Sequence, residues 1–224
     1  MKITLHLVLE TPGTQALEIL QSATEDDSPP PCFLLSSSQN TVASANSVRS
    51  WKIQNGRFDF EILNQEETLA NEVFLFIDNG YDLADQIEAT LLTLNTRDEL
   101  MMGRLLLFVD ANILFNPSDQ FQEWLDGASH FADVMLLVNR SNENASSIQS
   151  CQDRYASMRY PMETFVLSRK NAPWARILDP TPRRLSHVFD DPELLELEDL
   201  PENDRFLRRL PTGSRERTIP IPFD

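Results

Sequence analysis

The sequence predicts an α/β fold in which a mostly parallel β-sheet lies between two layers of helices. Three short apolar runs support this prediction. They cover residues 72–78, 103–110 and 133–139, and each ends in a carboxylate or an amide. The gaps between the runs are long enough to hold a helix. Such runs are typical of parallel strands that are buried on both faces and carry polar side chains at their carboxyl ends.

The first half of the chain contains a strand, a helix and a second strand, followed by a hairpin signal. The predicted elements are a strand at 3–9, a helix at 16–23 and a strand at 32–35. Between residues 44 and 63, alternating stretches flank Asn55-Gly56, a dipeptide that favours a tight hairpin turn. This region is therefore expected to form a small antiparallel pair or a strand with a β-insert.

The second half alternates strands with helices. Strands are predicted at 73–77, 105–109, 134–138 and 163–167, and helices at 83–94, 121–128 and 144–158. A helix-start signal at 116–119 precedes the second of these helices. The complete pattern predicts a three-layer α/β/α domain with a sheet of about six or seven strands.

The composition limits the expected partners. The chain has 224 residues, with 19 basic and 35 acidic side chains and a formal charge of −16. This charge repels nucleic-acid phosphates and anionic membrane surfaces, so neither is expected as a partner. No apolar run reaches the ~18 residues of a membrane span, and the N-terminal run is too short for a signal peptide. We therefore predict a cytoplasmic protein in which Cys32 and Cys151 are free thiols.

The composition changes at about residue 172. Prolines become frequent, and residues 190–204 contain eight acidic and no basic side chains. We predict a domain at 1–171 and an extended, proline-rich, acidic C-terminal tail at 172–224, which packs on its own domain or on a partner. A protein partner or a second copy of the chain would bind through this tail.

The order of several short motifs carries a family resemblance. Asp78 is followed by Leu-Ala-Asp at 83–85, Val-Asp-Ala at 109–111, Ala-Asp-Val at 132–134 and Asn-Arg-Ser-Asn at 139–142. This order resembles that of the CobW-like P-loop GTPases, relatives of the hydrogenase and urease nickel-insertion GTPases. The resemblance covers roughly residues 1–170. It implies a P-loop-NTPase-like fold, GTP with Mg²⁺ as ligands, and a role in metal or cofactor insertion.

The stretch in the place of the phosphate-binding loop departs from that family. Such a loop needs glycines, a lysine for the phosphates and a hydroxyl for Mg²⁺. Only Gly13 falls on a family glycine, while Thr14 replaces the lysine and Gln15 replaces the hydroxyl residue. Glu10 adds negative charge beside the phosphates, and Pro12 removes a backbone donor. The loop is therefore expected to be degenerate.

The base-recognition motif departs as well. Asn142 stands where the family has a carboxylate for guanine, whereas Arg140 could still lay its stem along a base. Asp78 is expected to cap a helix or a turn. The alternative is that Asp78 binds a metal-coordinated water. The predicted vestigial nucleotide site consists of Gly13, Thr14, Gln15, Asp78, Asp110, Asn139, Arg140 and Asn142.

Other chemistry finds little support in the sequence. There is no Gly-x-Ser-x-Gly elbow, and the family's Cys-x-Cys-Cys metal motif has no counterpart. No catalytic residue, metal site or cofactor is predicted. The expected function is that of a non-catalytic, GTPase-like interaction or regulatory protein. One alternative is an active GTP-dependent insertion chaperone that uses a relocated cation such as Lys2, Arg49 or a residue of a second copy. Another is a structural subunit that docks through its tail.

Overall fold

Strands and helices alternate along the chain in the computed structural model, which describes residues 2–36, 47–61, 70–168 and 172–223. The strands are β1 Ile3–Glu10, β2 Cys32–Ser36, β3 Val48–Gln54, β4 Arg57–Asp59, β5 Glu72–Phe76, β6 Leu100–Asp110, β7 Val134–Val138 and β8 Glu163–Val166. The helices are α1 Ala16–Ala23, α2 Leu83–Thr96, α3 Asp119–Phe131, α4 Ala145–Ser157 and α5 Trp174–Ile177. Short 3₁₀ turns occupy Ile113–Phe115, Pro192–Leu194, Leu197–Asp199 and Pro201–Asn203.

All eight strands within the described residues belong to one sheet, in the order β4-β3-β2-β5-β1-β6-β7-β8. Every neighbouring pair is parallel except β3 and β4. The predicted three-layer α/β class with a mostly parallel sheet is confirmed. The strand number exceeds the prediction because both hairpin strands extend the main sheet, with Val48 of β3 in register with Phe33 of β2.

Strand β6 begins five residues earlier than predicted. Its first residue, Leu100, is in register with Ile3 at the start of β1. Gly103 permits this pairing, because a Cβ there would lie 2.6 Å from Thr4 and 2.8 Å from His6. The next residue, Arg104, is a fully buried charged side chain. Its polarity interrupts the apolar pattern from which the strand was predicted.

Helices cover both faces of the sheet. Helices α2, α3 and α4 cover one face through Leu83, Ile87, Phe121, Trp124, Ile148 and Cys151. Helix α1 and the start of the tail cover the other face through Ala16, Leu20 and Ile177. Apolar burial of this kind on both faces is the main driving force for the layered arrangement.

The tail contributes to both cores. After Ile177 the chain reaches the opposite face, where Val188, Phe206, Leu207 and Ile219 are buried among the side chains of that core. Within the described part of the chain, no helix is long and apolar enough to cross a membrane.

Candidate functional site

The candidate site is the sheet edge at the carboxyl ends of β5, β1, β6 and β7. We call the segments that follow these strands the carboxyl-edge loops: residues 77–82, 11–15, 111–118 and 139–144. The strands are adjacent and parallel, so their loops meet. From β1 the chain moves to the half of the sheet that contains β2, whereas from β5 it crosses β1 to reach β6 in the other half. Ligands of open α/β folds bind at the point where the strand order reverses in this way.

The first loop is too short to surround a phosphate. Strand β1 stays in register with β6 as far as Glu10, which pairs with Phe108. Residues 8–10 would form the first half of a phosphate-binding loop, but here they are part of the strand. Only residues 11–15 connect β1 to α1. A phosphate-binding loop needs a longer connection whose backbone N–H groups converge on the ligand.

The carboxylate of Glu10 lies at the N-terminus of α1, where the N–H groups of a helix receive an anion. It accepts a hydrogen bond from the Thr14 hydroxyl at 2.6 Å. It also accepts one from the backbone N–H of Ala16, the first residue of the helix, at 3.3 Å. Burial raises the pKa of Glu10, and the hydrogen bonds from Thr14 and Ala16 oppose this only in part. The chain's own carboxylate thus takes the position that suits a phosphate.

The remainder of the first loop packs against Asp110 at the end of β6. Gly13 has a positive φ of 87°, and a Cβ on it would lie 2.7 Å from a carboxylate oxygen of Asp110. Gln15 also adopts a left-handed conformation, with a φ of 56°. Asp110 accepts the N–H of Asn112 at 2.9 Å, and its own N–H donates to Thr11 at 2.8 Å. Asp110 therefore links two loops, through its carboxylate to Asn112 and through its backbone N–H to Thr11.

The side chain of Asp78, at the end of β5, is buried in a hydrogen-bonded network. One oxygen accepts the N–H of Gly80 at 2.9 Å, and the other accepts the Ser36 hydroxyl at 2.6 Å. Gln86 of α2 bonds both the N–H and the C=O of Asp78, each at 2.9 Å. The carboxylate thus stabilises the turn between β5 and α2, which is the role that its position predicted.

The loop after β7 is joined to the first loop by an amide. Asn139 has a positive φ of 57°, and its side-chain amide donates to the carbonyl of Gly13 at 3.0 Å. Arg140 and Asn142 are exposed. In the described structure, neither Arg140 nor Asn142 is therefore buried in a pocket for a base.

Asn144 holds this loop in place, and the sequence did not identify it as a site residue. The side chain is buried and donates to Asn112 and to the carbonyl of Asn139, both at 3.0 Å. It also accepts the N–H of Ser141 at 2.8 Å. The sequence placed Asn144 at the start of the predicted helix 144–158, and no local signal distinguishes a residue of the first helical turn from a bridge between loops.

The charge at this edge is negative. Residues 10–15, 77–82, 110–118 and 139–144 contain five acidic side chains and one basic side chain, Arg140. The donor set does not fit a nucleoside triphosphate with Mg²⁺, because carboxylates face the loop and no lysine lies in it. Within the described ranges, no group of three or more His, Cys, Asp and Glu side chains is placed to hold a metal ion.

Comparison with solved structures supports the α/β fold. No protein-family model matches the sequence, and no curated protein matches it. Among solved structures, the Zn(II)-bound YjiA GTPase from E. coli is similar, with a TM-score of 0.50 and 11% sequence identity. The match covers 77% of this chain and 59% of that protein, so this chain spans less than two thirds of its length. At this identity the similarity shows the fold alone.

Proposed function

We propose that this protein is a non-catalytic, GTPase-like interaction or regulatory protein of the cytoplasm that has lost phosphate binding. The observation that carries the proposal is the Glu10 carboxylate at the N-terminus of α1. It accepts the helix N–H of Ala16 that a phosphate would need. A phosphate could enter only by displacing a half-buried carboxylate or by lying beside it, and like charges repel where water is scarce.

The position of Lys2 supports the same proposal. Lys2 precedes Ile3 at the amino end of β1, whereas the loop follows Glu10 at the carboxyl end. Strand β1 has eight residues, so about 26 Å of strand separates Lys2 from the loop. Lys2 is therefore poorly placed to replace the missing lysine of a phosphate-binding loop.

Isothermal titration calorimetry with GTP, GDP and ATP, each with Mg²⁺, tests the proposal. We expect no binding tighter than about 1 mM, a free energy of about −4 kcal/mol. Thermal shift in the same solutions gives an independent measurement, because a ligand at 100 times its Kd stabilises a protein by about 2.7 kcal/mol. The Glu10→Gln variant keeps the shape of the loop and removes the charge. It should still fail to bind tightly, since no lysine is gained.

Tight binding of GTP, with turnover that is lost in the Asp78→Ala variant, would refute the proposal. That result would favour the GTP-dependent insertion chaperone that the family resemblance implies. Weak binding gained only in Glu10→Gln would show that the carboxylate itself is the principal barrier to phosphate.

A further inference from the structure

Two leucines in the tail project away from the protein. Leu194 is 84% exposed and Leu197 is 81% exposed, the largest values among the exposed large hydrophobic residues of the described chain. Their neighbours Leu195 and Leu200 are half-buried. Of the four leucines in this short segment, two therefore face the protein and two face solvent.

This segment, residues 190–204, is held at both ends. At its start, Asp190 accepts one hydrogen bond from Arg184 at 2.9 Å, and its other oxygen lies 2.8 Å from a ring nitrogen of His187. At its end, Asp204 lies 2.8 Å from the ring of His130 and accepts the Ser186 hydroxyl at 2.6 Å. We call this anchored stretch the acidic segment.

The interior of the acidic segment is also ordered. Three 3₁₀ turns follow one another, and the side-chain amide of Asn203 donates to the carbonyl of Leu197 at 2.6 Å. The two exposed leucines are therefore presented on a preorganised backbone. Preorganisation lowers the conformational entropy lost on binding.

Charge indicates the kind of partner. The acidic segment contains eight carboxylates and no basic residue, in a chain with a formal charge of −16. Glu193, Glu196 and Glu198 are exposed beside the leucines. Two copies of this surface would repel each other, whereas a basic surface would be attracted.

We propose that the acidic segment is a docking surface for a protein partner with an apolar pocket bordered by lysines or arginines. Leu194 and Leu197 enter the pocket, and the flanking glutamates pair with its basic border. The proposal rests on the proposed function, since it names the surface through which a non-catalytic module acts. Nucleotide titration and docking are measured separately, so either can fail without the other.

The test begins with a photo-crosslinking side chain at position 194 or 197 of the full chain in its native host, with position 92 as a control. Leu92 is 46% exposed on α2. A protein crosslinked at 194 and 197 but not at 92 is identified, purified and titrated against the unmodified chain. We expect the Leu194→Ser, Leu197→Ser double variant to weaken binding about 10-fold or more, and Leu92→Ser to leave it unchanged.

The electrostatic part has its own measurement. Raising the salt concentration from about 50 to about 200 mM should weaken binding several-fold, and the Glu193→Gln, Glu196→Gln, Glu198→Gln variant should lose most of that dependence. Both leucine side chains point into solvent, so circular dichroism of the serine variants should match that of the wild type. Three results would overturn the proposal: no crosslinked protein beyond the position-92 control, crosslinks only to a second copy, or unchanged affinity in the serine variant.

Discussion

Replacing Asp133 by asparagine should destabilise the protein, because this carboxylate holds the tail to the sheet. Asp133 lies just before β7 and is completely buried. One carboxylate oxygen accepts the N–H of Leu105 at 2.8 Å, and the other accepts the N–H of Arg183 at 2.6 Å. The guanidinium of Arg184 contacts both oxygens, at 3.1 and 3.3 Å. This one side chain therefore joins β6, β7 and the tail.

The expected cost follows from these contacts. The side chains of Asp133 and Arg184 are 0% and 2% exposed, so solvent does not screen their interaction. An asparagine leaves the guanidinium without its buried counter-charge and points an amide NH₂ at a backbone N–H. Breaking a buried pair by removing one partner costs about 3–5 kcal/mol. Arg184 keeps Asp190 at 2.9 Å, which places the expected value at the lower end of that range.

Urea unfolding followed by tryptophan fluorescence measures this cost. Asp59→Asn is the matched control, since the pair of Asp59 with Lys52 is exposed at 51% and 67%. It should stay within about 0.5 kcal/mol of the wild type. The Asp133→Asn, Arg184→Met double variant should show a coupling of at least about 1 kcal/mol. A loss below about 1 kcal/mol in Asp133→Asn would show that the buried pair does not hold the tail.

Three further outcomes are expected. Gly13→Ala should cost more than Gly213→Ala, because both have a φ near 90° (87° and 88°) but only Gly13 has a carboxylate oxygen 2.7 Å from the added Cβ; the difference in urea midpoints measures that contact, and equal losses would contradict it. The pKa of Glu10 is raised in the folded protein, so its contribution to the free energy of unfolding is present below pH 4.5, its ordinary pKa, and is lost as pH rises through the folded pKa. Glu10→Gln should therefore flatten the dependence of unfolding free energy on pH in this range. An unchanged dependence would contradict the raised pKa. Burial raises the pKa of both Cys32 and Cys151 to about 11, so neither should react with a thiol reagent at neutral pH until urea unfolds the chain, and rapid labelling of the native protein would contradict their burial.

Elements with a strong local pattern were predicted from the sequence. The buried strands β5 and β7 contain continuous apolar runs, and α3 begins after Ser118, whose side chain accepts the N–H of Phe121. The hairpin between β3 and β4 was recognisable from Asn55-Gly56, and both residues have positive φ values. These features depend on neighbours in the sequence, so the sequence alone was sufficient.

The site is different, because its geometry depends on residues that are far apart in the chain. The sequence alone determined that the first loop lacks a lysine and a Mg²⁺ hydroxyl, and that its glycine content is low. Only the tertiary structure decided that Glu10 fills the N-terminus of α1, that Asn144 bridges two loops and that Asp133 anchors the tail. Strand order and register bring these groups together. Neither the strand order nor the register can be predicted from the hydrogen-bonding capacity of a residue and its immediate neighbours.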